Sequence, residues 1–253
     1  MTKDPRDKVR ELQRKLWVSA KKSRTRRFHA LYDKIYRPDV LQEAWRRVRN
    51  RHGVGGVDGE TIREIETRGE EFFLKEIQSQ LKEGRYYPQA VKRVYIPKAN
   101  GKKRPLGIPT IRDRVVQMAA KIVLEPIFEA DFEGSSYGFR PKKNAIQALE
   151  RVRKAANQGY NWVLDADIKK YFDNIQHKKL IEKVSQRISD RRVTKLIRKW
   201  LESGVMVEGR YERTIVGTPQ GGVISPLLSN IYLHHLDEVW EKKYASLGIL
   251  TRY

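Results

Sequence analysis

The sequence has no cysteine. That excludes disulfides, thiolate zinc sites and cysteine nucleophiles together, and it fits a reducing compartment. No apolar run reaches the ~18 residues that a membrane-spanning helix needs, so no membrane association is expected. The first residues, Met1-Thr2-Lys3-Asp4-Pro5-Arg6, run into a charged helical pattern without the apolar segment of a secretory leader. A cytoplasmic protein is the expectation. Acidic residues are also scarce: 31 Asp and Glu face 53 Lys and Arg, a net charge of +22. A compact chain this basic repels itself, and a polyanionic partner explains the excess best, nucleic acid first. A ribosome-associated or merely solubilising role, or an anionic membrane surface, explains it less well.

What is present suits a globular chain. The 253 residues, 39% of them hydrophobic, are ample for a buried core. Asp4-Pro5 reads as a helix start, with Val9, Leu12, Leu16 and Ala20 on one face. Val40, Leu41, Ala44, Trp45 and Val48 form a second such face. Between them, Lys21-Lys22-Ser23-Arg24-Thr25-Arg26-Arg27 is either a solvated turn or a phosphate-contacting arm carried by Arg24, Arg26 and Arg27. Four glycines within 52–59 make that stretch a loop. A helix is expected around Phe72, Phe73, Ile77 and Leu81, stopped by Gly84. Val91 to Pro97 reads as a strand and Asn100-Gly101 as a hairpin turn. The return segment from Arg104 to Pro109 holds two prolines, so it belongs at a sheet edge. A helix over 115–128 follows, with Pro126 near its end. Trp162-Val163-Leu164 reads as a short strand running into acids. Helices are expected over 177–188, 190–202 and about 226–244. Val205–Val207 and Thr214–Val216 bracket a second hairpin, and 249–253 begins like a strand. Helices first and mixed elements later give an α+β class: a helical N-terminal region with an antiparallel sheet.

Three stretches carry chemistry. Asp165-Ala166-Asp167-Ile168 lies at the end of the expected strand, with both carboxylates on one side because side chains alternate. Clustered carboxylates of this kind hold divalent ions in phosphoryl transfer, although strands also end in aspartates without any metal. Gly217-Thr218-Pro219-Gln220-Gly221-Gly222 stands between a hairpin and a helix. Its glycines admit a flat ligand and Gln220 both donates and accepts, yet the same residues also make an ordinary Gly-Pro turn. Lys98-Ala99-Asn100-Gly101-Lys102-Lys103-Arg104 puts four cations on a hairpin tip, which grips phosphates or is simply solvated.

In this order the three stretches resemble reverse transcriptases, and within them the group II intron-encoded proteins. Further blocks carry the likeness: Gly56-Val57-Asp58-Gly59, Tyr95-Ile96-Pro97-Lys98, Pro105-Leu106-Gly107-Ile108-Pro109-Thr110, Ser136-Tyr137-Gly138-Phe139-Arg140-Pro141 and Ser225-Pro226-Leu227-Leu228-Ser229-Asn230. The resemblance spans about residues 40 to 253. It implies a right-hand polymerase: a basic N-terminal helical extension over 1–37, fingers over 38–160 and a partial palm over 161–253. It implies RNA-directed DNA synthesis, with RNA template, intron RNA, DNA primer and deoxynucleoside triphosphates as partners and magnesium as cofactor, manganese substituting. Asp167 is then the first catalytic metal ligand, with the carbonyl of Ile168 on the same ion. Phe172 is the ring beneath the sugar that excludes a 2′-hydroxyl. Lys98 and Arg104 grip the triphosphate, Gln220 packs on the incoming nucleotide, and Arg112 and Arg114 touch the template backbone.

One departure stands out. The family continues Arg-Tyr with Ala-Asp-Asp, whereas this sequence reads Thr251-Arg252-Tyr253 and stops. With one carboxylate at the implied place, the chain alone is expected to make no DNA. Two other expectations follow: a non-catalytic RNA-binding protein, or one half of a split enzyme whose second chain supplies the remaining palm and thumb. Asp173 and Asp237 are the nearest spare acids.

Overall fold

The computed structural model describes residues 4–97, 101–218 and 221–253. Helix α1 (Pro5–Lys22) begins at Asp4, whose carboxylate accepts from the Arg6 amide at 2.8 Å. Its expected stripe, Val9, Leu12, Leu16 and Ala20, is buried. After the single turn α2 (Tyr32–Ile35), α3 (Pro38–Arg49) buries Val40, Leu41, Ala44, Trp45 and Val48. The glycine-rich loop leads to α4 (Ile62–Arg68), where Thr61 and Glu64 form a reciprocal capping box. Helix α5 (Glu70–Lys82) buries Phe73, Ile77 and Leu81.

These helices pack around α6 (Ile111–Glu129), which is buried on nearly all sides. Helices α1 and α3 supply most of that cover. Pro126 lies inside α6. A proline lacks the amide that would bond the carbonyl four residues back, here that of Ile122. The side chain of Gln13 donates to that carbonyl at 3.0 Å. The helix therefore continues through the proline, and α1 is tied to it by more than apolar contact.

Beyond α6 come α7 (Ala145–Asn157), α8 (His177–Ser185), α9 (Arg191–Leu201) and α10 (Ser225–Val239), the last continued by one π turn over Trp240–Tyr244. Strands β1 (Val91–Pro97), β2 (Lys103–Ile108), β3 (Val205–Val207) and β4 (Arg210–Glu212) form one sheet in the order β2-β1-β3-β4. β1 and β2 pair antiparallel from Lys92 opposite Ile108 to Pro97 opposite Lys103. β2, which contains Pro105, takes the edge as expected. β1 and β3 run parallel, so the sheet is mixed, not purely antiparallel. The apolar core is continuous from Val9 to Ile231.

Three local expectations change. The second hairpin returns at Arg210, not Thr214. Glu208 and Gly209 both have positive φ, 48° and 80°, which makes a two-residue loop and starts the return strand at once. Residues 161–168 are not a strand: no backbone ladder joins them among the described residues, and Trp162 is 96% exposed and Leu164 92%. Their composition suits a strand, but a strand exists only with a partner to share its hydrogen bonds. Around 249–253, one parallel bridge forms between Ser136 and Arg252 in place of a ladder. Helix α7, absent from the expectation, starts in a second capping box, Asn144 with Gln147.

Candidate functional site

Two glycines set close backbone approaches next to the three chemical stretches. After the exposed run 161–168, Lys170 takes a left-handed conformation (φ 50°), and a 3-10 turn follows over Tyr171–Asn174. Tyr171 anchors that turn by donating to the carbonyl of Ser229 on α10 at 2.9 Å. Burial pushes its hydroxyl pKa up to about 12. Phe172 stands half-buried beside it, the two rings edge-on at 5.4 Å.

Against this turn lies the segment at 217. The amide of Thr218 donates to the carbonyl of Phe172 and that of Gly217 to Ile175, both at 2.9 Å. His177 donates from Nε2 to the carbonyl of Gly217 at 2.6 Å. Gly217 has φ 93°, and a Cβ there would stand 2.9 Å from the carbonyl oxygens of Phe172 and Asp173. Only glycine permits this approach. Four residues later Gly221 (φ 111°) is pressed on the carbonyl of Gly107 and the side chain of Leu106, both on β2. Gln117 of α6 fixes the exit by accepting from the Val223 amide at 2.8 Å. One short segment therefore touches the Phe172 turn, the fingers hairpin and the central helix.

Arg104 is exposed on β2, opposite Ile96. Lys98 and Gln220 lie outside the described residues. Asp165, Asp167, Ile168 and Asp173 are exposed. Arg112 is occupied inside the fold: it donates to Glu76 at 2.8 Å and Gln80 at 3.0 Å and lies over Phe73. Arg114 is buried and donates to the carbonyls of Pro109 and Val54, holding the glycine-rich loop against the start of α6. Asp237 is fully buried and paired with Arg252 at 2.9 and 2.7 Å, so it is no spare ligand. Arg24, Arg26 and Arg27 are exposed.

Sequence reasoning missed the residues that brace the site. Arg252 also donates to Asn230 at 3.1 Å and Ser136 at 2.6 Å, and Asn230 donates to the carbonyl of Gly138 at 2.8 Å. Arg140 clasps Glu129 and donates to the carbonyls of Glu133 and Ser136. The Ser136–Arg140 and Ser225–Asn230 blocks are thus fastened to one another. Their signal was present as motif matches, but what each side chain binds was not.

The profile of the reverse transcriptase (RNA-dependent DNA polymerase) family matches residues 96–253. The chain belongs to the reverse transcriptase family. It is 44% identical over 214 residues to the group II intron-encoded protein LtrA of Lactococcus lactis subsp. cremoris, covering 83% of this chain and 35% of that one. It is 39% identical over 244 residues to protein YkfC of Escherichia coli (strain K12), covering 94% and 64%. The chain thus spans about a third of the Lactococcus protein's length. Among solved structures, a partial Cas6-RT-Cas1–Cas2 complex is similar with a TM-score of 0.54 at 27% identity, over 83% of this chain and 35% of that one.

Reverse transcriptases as a family use divalent metal ions. Among the described residues no three His, Cys, Asp or Glu side chains come together as a metal site. The donors in the implied place are the Asp167 carboxylate and the Ile168 carbonyl, with Asp165 nearby in sequence. Two-ion phosphoryl transfer needs several bridging carboxylates, so the residues present do not fit it by themselves. Among the described residues no helix is long and apolar enough to cross a membrane.

Proposed function

We propose that this chain is the nucleotide- and template-holding part of a group II intron-type reverse transcriptase, acting on an RNA template, a DNA primer and deoxynucleoside triphosphates. One observation carries the reading: Gly217 and Gly221, four residues apart, bring the Phe172 turn and the β1–β2 hairpin to one segment. A polymerase needs groups for sugar, triphosphate and templating base at one place, and these contacts support that reading. In this reading Lys98 and Arg104 hold phosphates, Phe172 meets the sugar edge and Gln220 the base. Asp167 and the Ile168 carbonyl are the chain's contribution to a metal site that needs further carboxylates. Arg112 and Arg114 organise the loop and helix beneath the template side. Arg24, Arg26 and Arg27 hold RNA phosphates. A second reading is a maturase-like protein that holds intron RNA without synthesis; among the described residues no three His, Cys, Asp or Glu side chains cluster.

Primer extension tests the first reading. The chain alone is expected to extend no primer on an RNA template. Joined to the downstream part of the Lactococcus relative, it is expected to synthesise DNA and to lose synthesis with Asp167→Asn but much less with Asp165→Asn. Phe172→Val should admit ribonucleotides. Arg104→Ala should raise the apparent KM for deoxynucleotides about tenfold or more, since a charge-assisted contact contributes roughly 1.5–3 kcal/mol. An essential Asp165 beside a dispensable Asp167 would refute the assignment.

A further inference from the structure

Most arginines of this chain that lie near a carboxylate use it: Arg37 on Asp39, Arg46 and Arg47 on Glu43, Arg68 on Glu60 and Arg140 on Glu129. Helix α9 differs. It buries Val193, Leu196, Ile197, Trp200 and Leu201 on one side and turns Arg191, Lys195 and Arg198 outward, exposed. None of these three has an acidic partner among the described residues. Arg192, also exposed, pairs with Asp190 and lies over the Tyr32 ring at 5.1 Å.

The row is extended at both ends. Before α9, Phe28 bridges Ile188: its amide donates to the carbonyl of Arg187 at 2.8 Å, and its carbonyl accepts from Ser189 at 2.9 Å. Arg187 also donates to the carbonyls of Ala20, Ser23 and Arg24. The loop bearing Arg24, Arg26 and Arg27 is thereby fixed beside the start of α9. At the other end Lys199 stands 3.5 Å from the ring centre of Tyr87 and donates to the carbonyl of Tyr86 at 2.7 Å. Tyr87 remains 71% exposed. From Arg191 to Lys199 the helix rises about 12 Å, at ~1.5 Å per residue.

We propose that this row, from the 24–27 loop along the outer face of α9 to Tyr87, is a track for a single-stranded segment of RNA. It rests on the reading that the chain handles RNA, and it adds a surface that the nucleotide site does not include. Unpaired cations at helical spacing meet phosphates at little cost, because no internal ion pair has to break. An exposed ring backed by a cation stacks a base of any sequence. The outward positions of α9 offer no apolar residue to insert into a bilayer, which argues against a membrane.

The test is binding of the whole chain to a labelled single-stranded RNA across a salt series. Arg191→Gln, Lys195→Gln and Arg198→Gln together should flatten the log–log salt slope by about two, at ~0.7 per phosphate contact on a single strand. Tyr87→Ala should weaken binding roughly tenfold with the slope unchanged, since it removes stacking and no charge. Arg191→Lys with Arg198→Lys should keep the parent slope. If the triple variant loses its circular dichroism, Lys195→Gln alone replaces it, with an expected change a third as large. A parent that binds RNA and a folded variant that binds it identically would overturn the track and leave the family reading standing. A parent that binds no RNA even at low salt would overturn both. A parent that holds polyglutamate as tightly as RNA would make the surface one for acidic protein and overturn the proposal.

Discussion

Replacing Gly217 with alanine isolates the contact on which the site depends. Two costs combine. The backbone there has φ 93°, a region that costs a residue bearing a Cβ about 1–2 kcal/mol. The added Cβ would also stand 2.9 Å from two carbonyl oxygens and 3.0 Å from the Cα of Asp173. All three are backbone atoms and cannot rotate away, and overpacking of this kind costs about 1–3 kcal/mol. Together the loss should be about 2–5 kcal/mol. For a chain of this length each kcal/mol lowers the melting temperature by about 2–4 °C, so a fall of roughly 4–20 °C is expected. Gly84→Ala is the control: it too has a positive φ, 72°, but nothing lies within 4 Å of its would-be Cβ. Thermal unfolding followed by circular dichroism should show Gly84→Ala losing only the backbone part. Equal losses in the two variants would refute the close docking of the Gly217 segment on the Phe172 turn.

Two further outcomes concern buried charge. Glu43 is buried and receives Arg46 through two hydrogen bonds, at 2.8 and 2.9 Å, and Arg47 at 2.6 Å. The hydrogen bonds from Arg46 lead in drawing its carboxyl pKa down to about 2 from 4.5. A lowered folded-state pKa stabilises above the unfolded value and is lost as pH falls through the folded one, a contribution of about 3 kcal/mol at most. Urea unfolding of Glu43→Gln against the parent should show a stability gap at pH 6 that closes between pH 4.5 and 2; a gap constant with pH would refute this. Asp237→Asn leaves Arg252 facing a neutral partner in a buried site and should destabilise by about 3–5 kcal/mol in the same assay. A loss below about 1 kcal/mol, the range of exposed pairs, would show that this pair does not fasten the two motif blocks.

Elements that carry their own apolar period were legible in the sequence. The stripe from Val9 to Ala20 and the cluster from Val40 to Val48 came out buried because side-chain spacing decides which face of a helix meets the core. The edge place of β2 was legible because Pro105 removes a donor. What failed was whatever depends on a partner. Residues 161–168 have a strand's composition and no ladder. Helix α7 was missed although Ile146, Leu149 and Val152 stand at helical spacing; all three are exposed and only Ala148 is buried. In the site, motif order was readable and motif contact was not. Arg112 and Arg114 show the gap: two cations beside a motif read as phosphate ligands, while the fold places Glu76 and two carbonyls within their reach.

The glycines at 217 and 221 mark two close approaches between segments far apart in sequence. Each glycine removes a Cβ at one contact, the first on the carbonyls of Phe172 and Asp173 and the second on the carbonyl of Gly107. Gly217 thus rests on the Phe172 turn and Gly221 on β2. Tyr171, bonded to Ser229, and Gln117, bonded to Val223, tie the neighbouring backbone to α10 and α6. On the proposed reading, the Phe172 ring and the β1–β2 hairpin need a fixed separation, because misplacement by about 1 Å costs a site much of its rate. A turn with a side chain at either glycine position would widen that separation. Backbone contact, which no rotamer can relax, sets the spacing more firmly than any pair of side chains in this region.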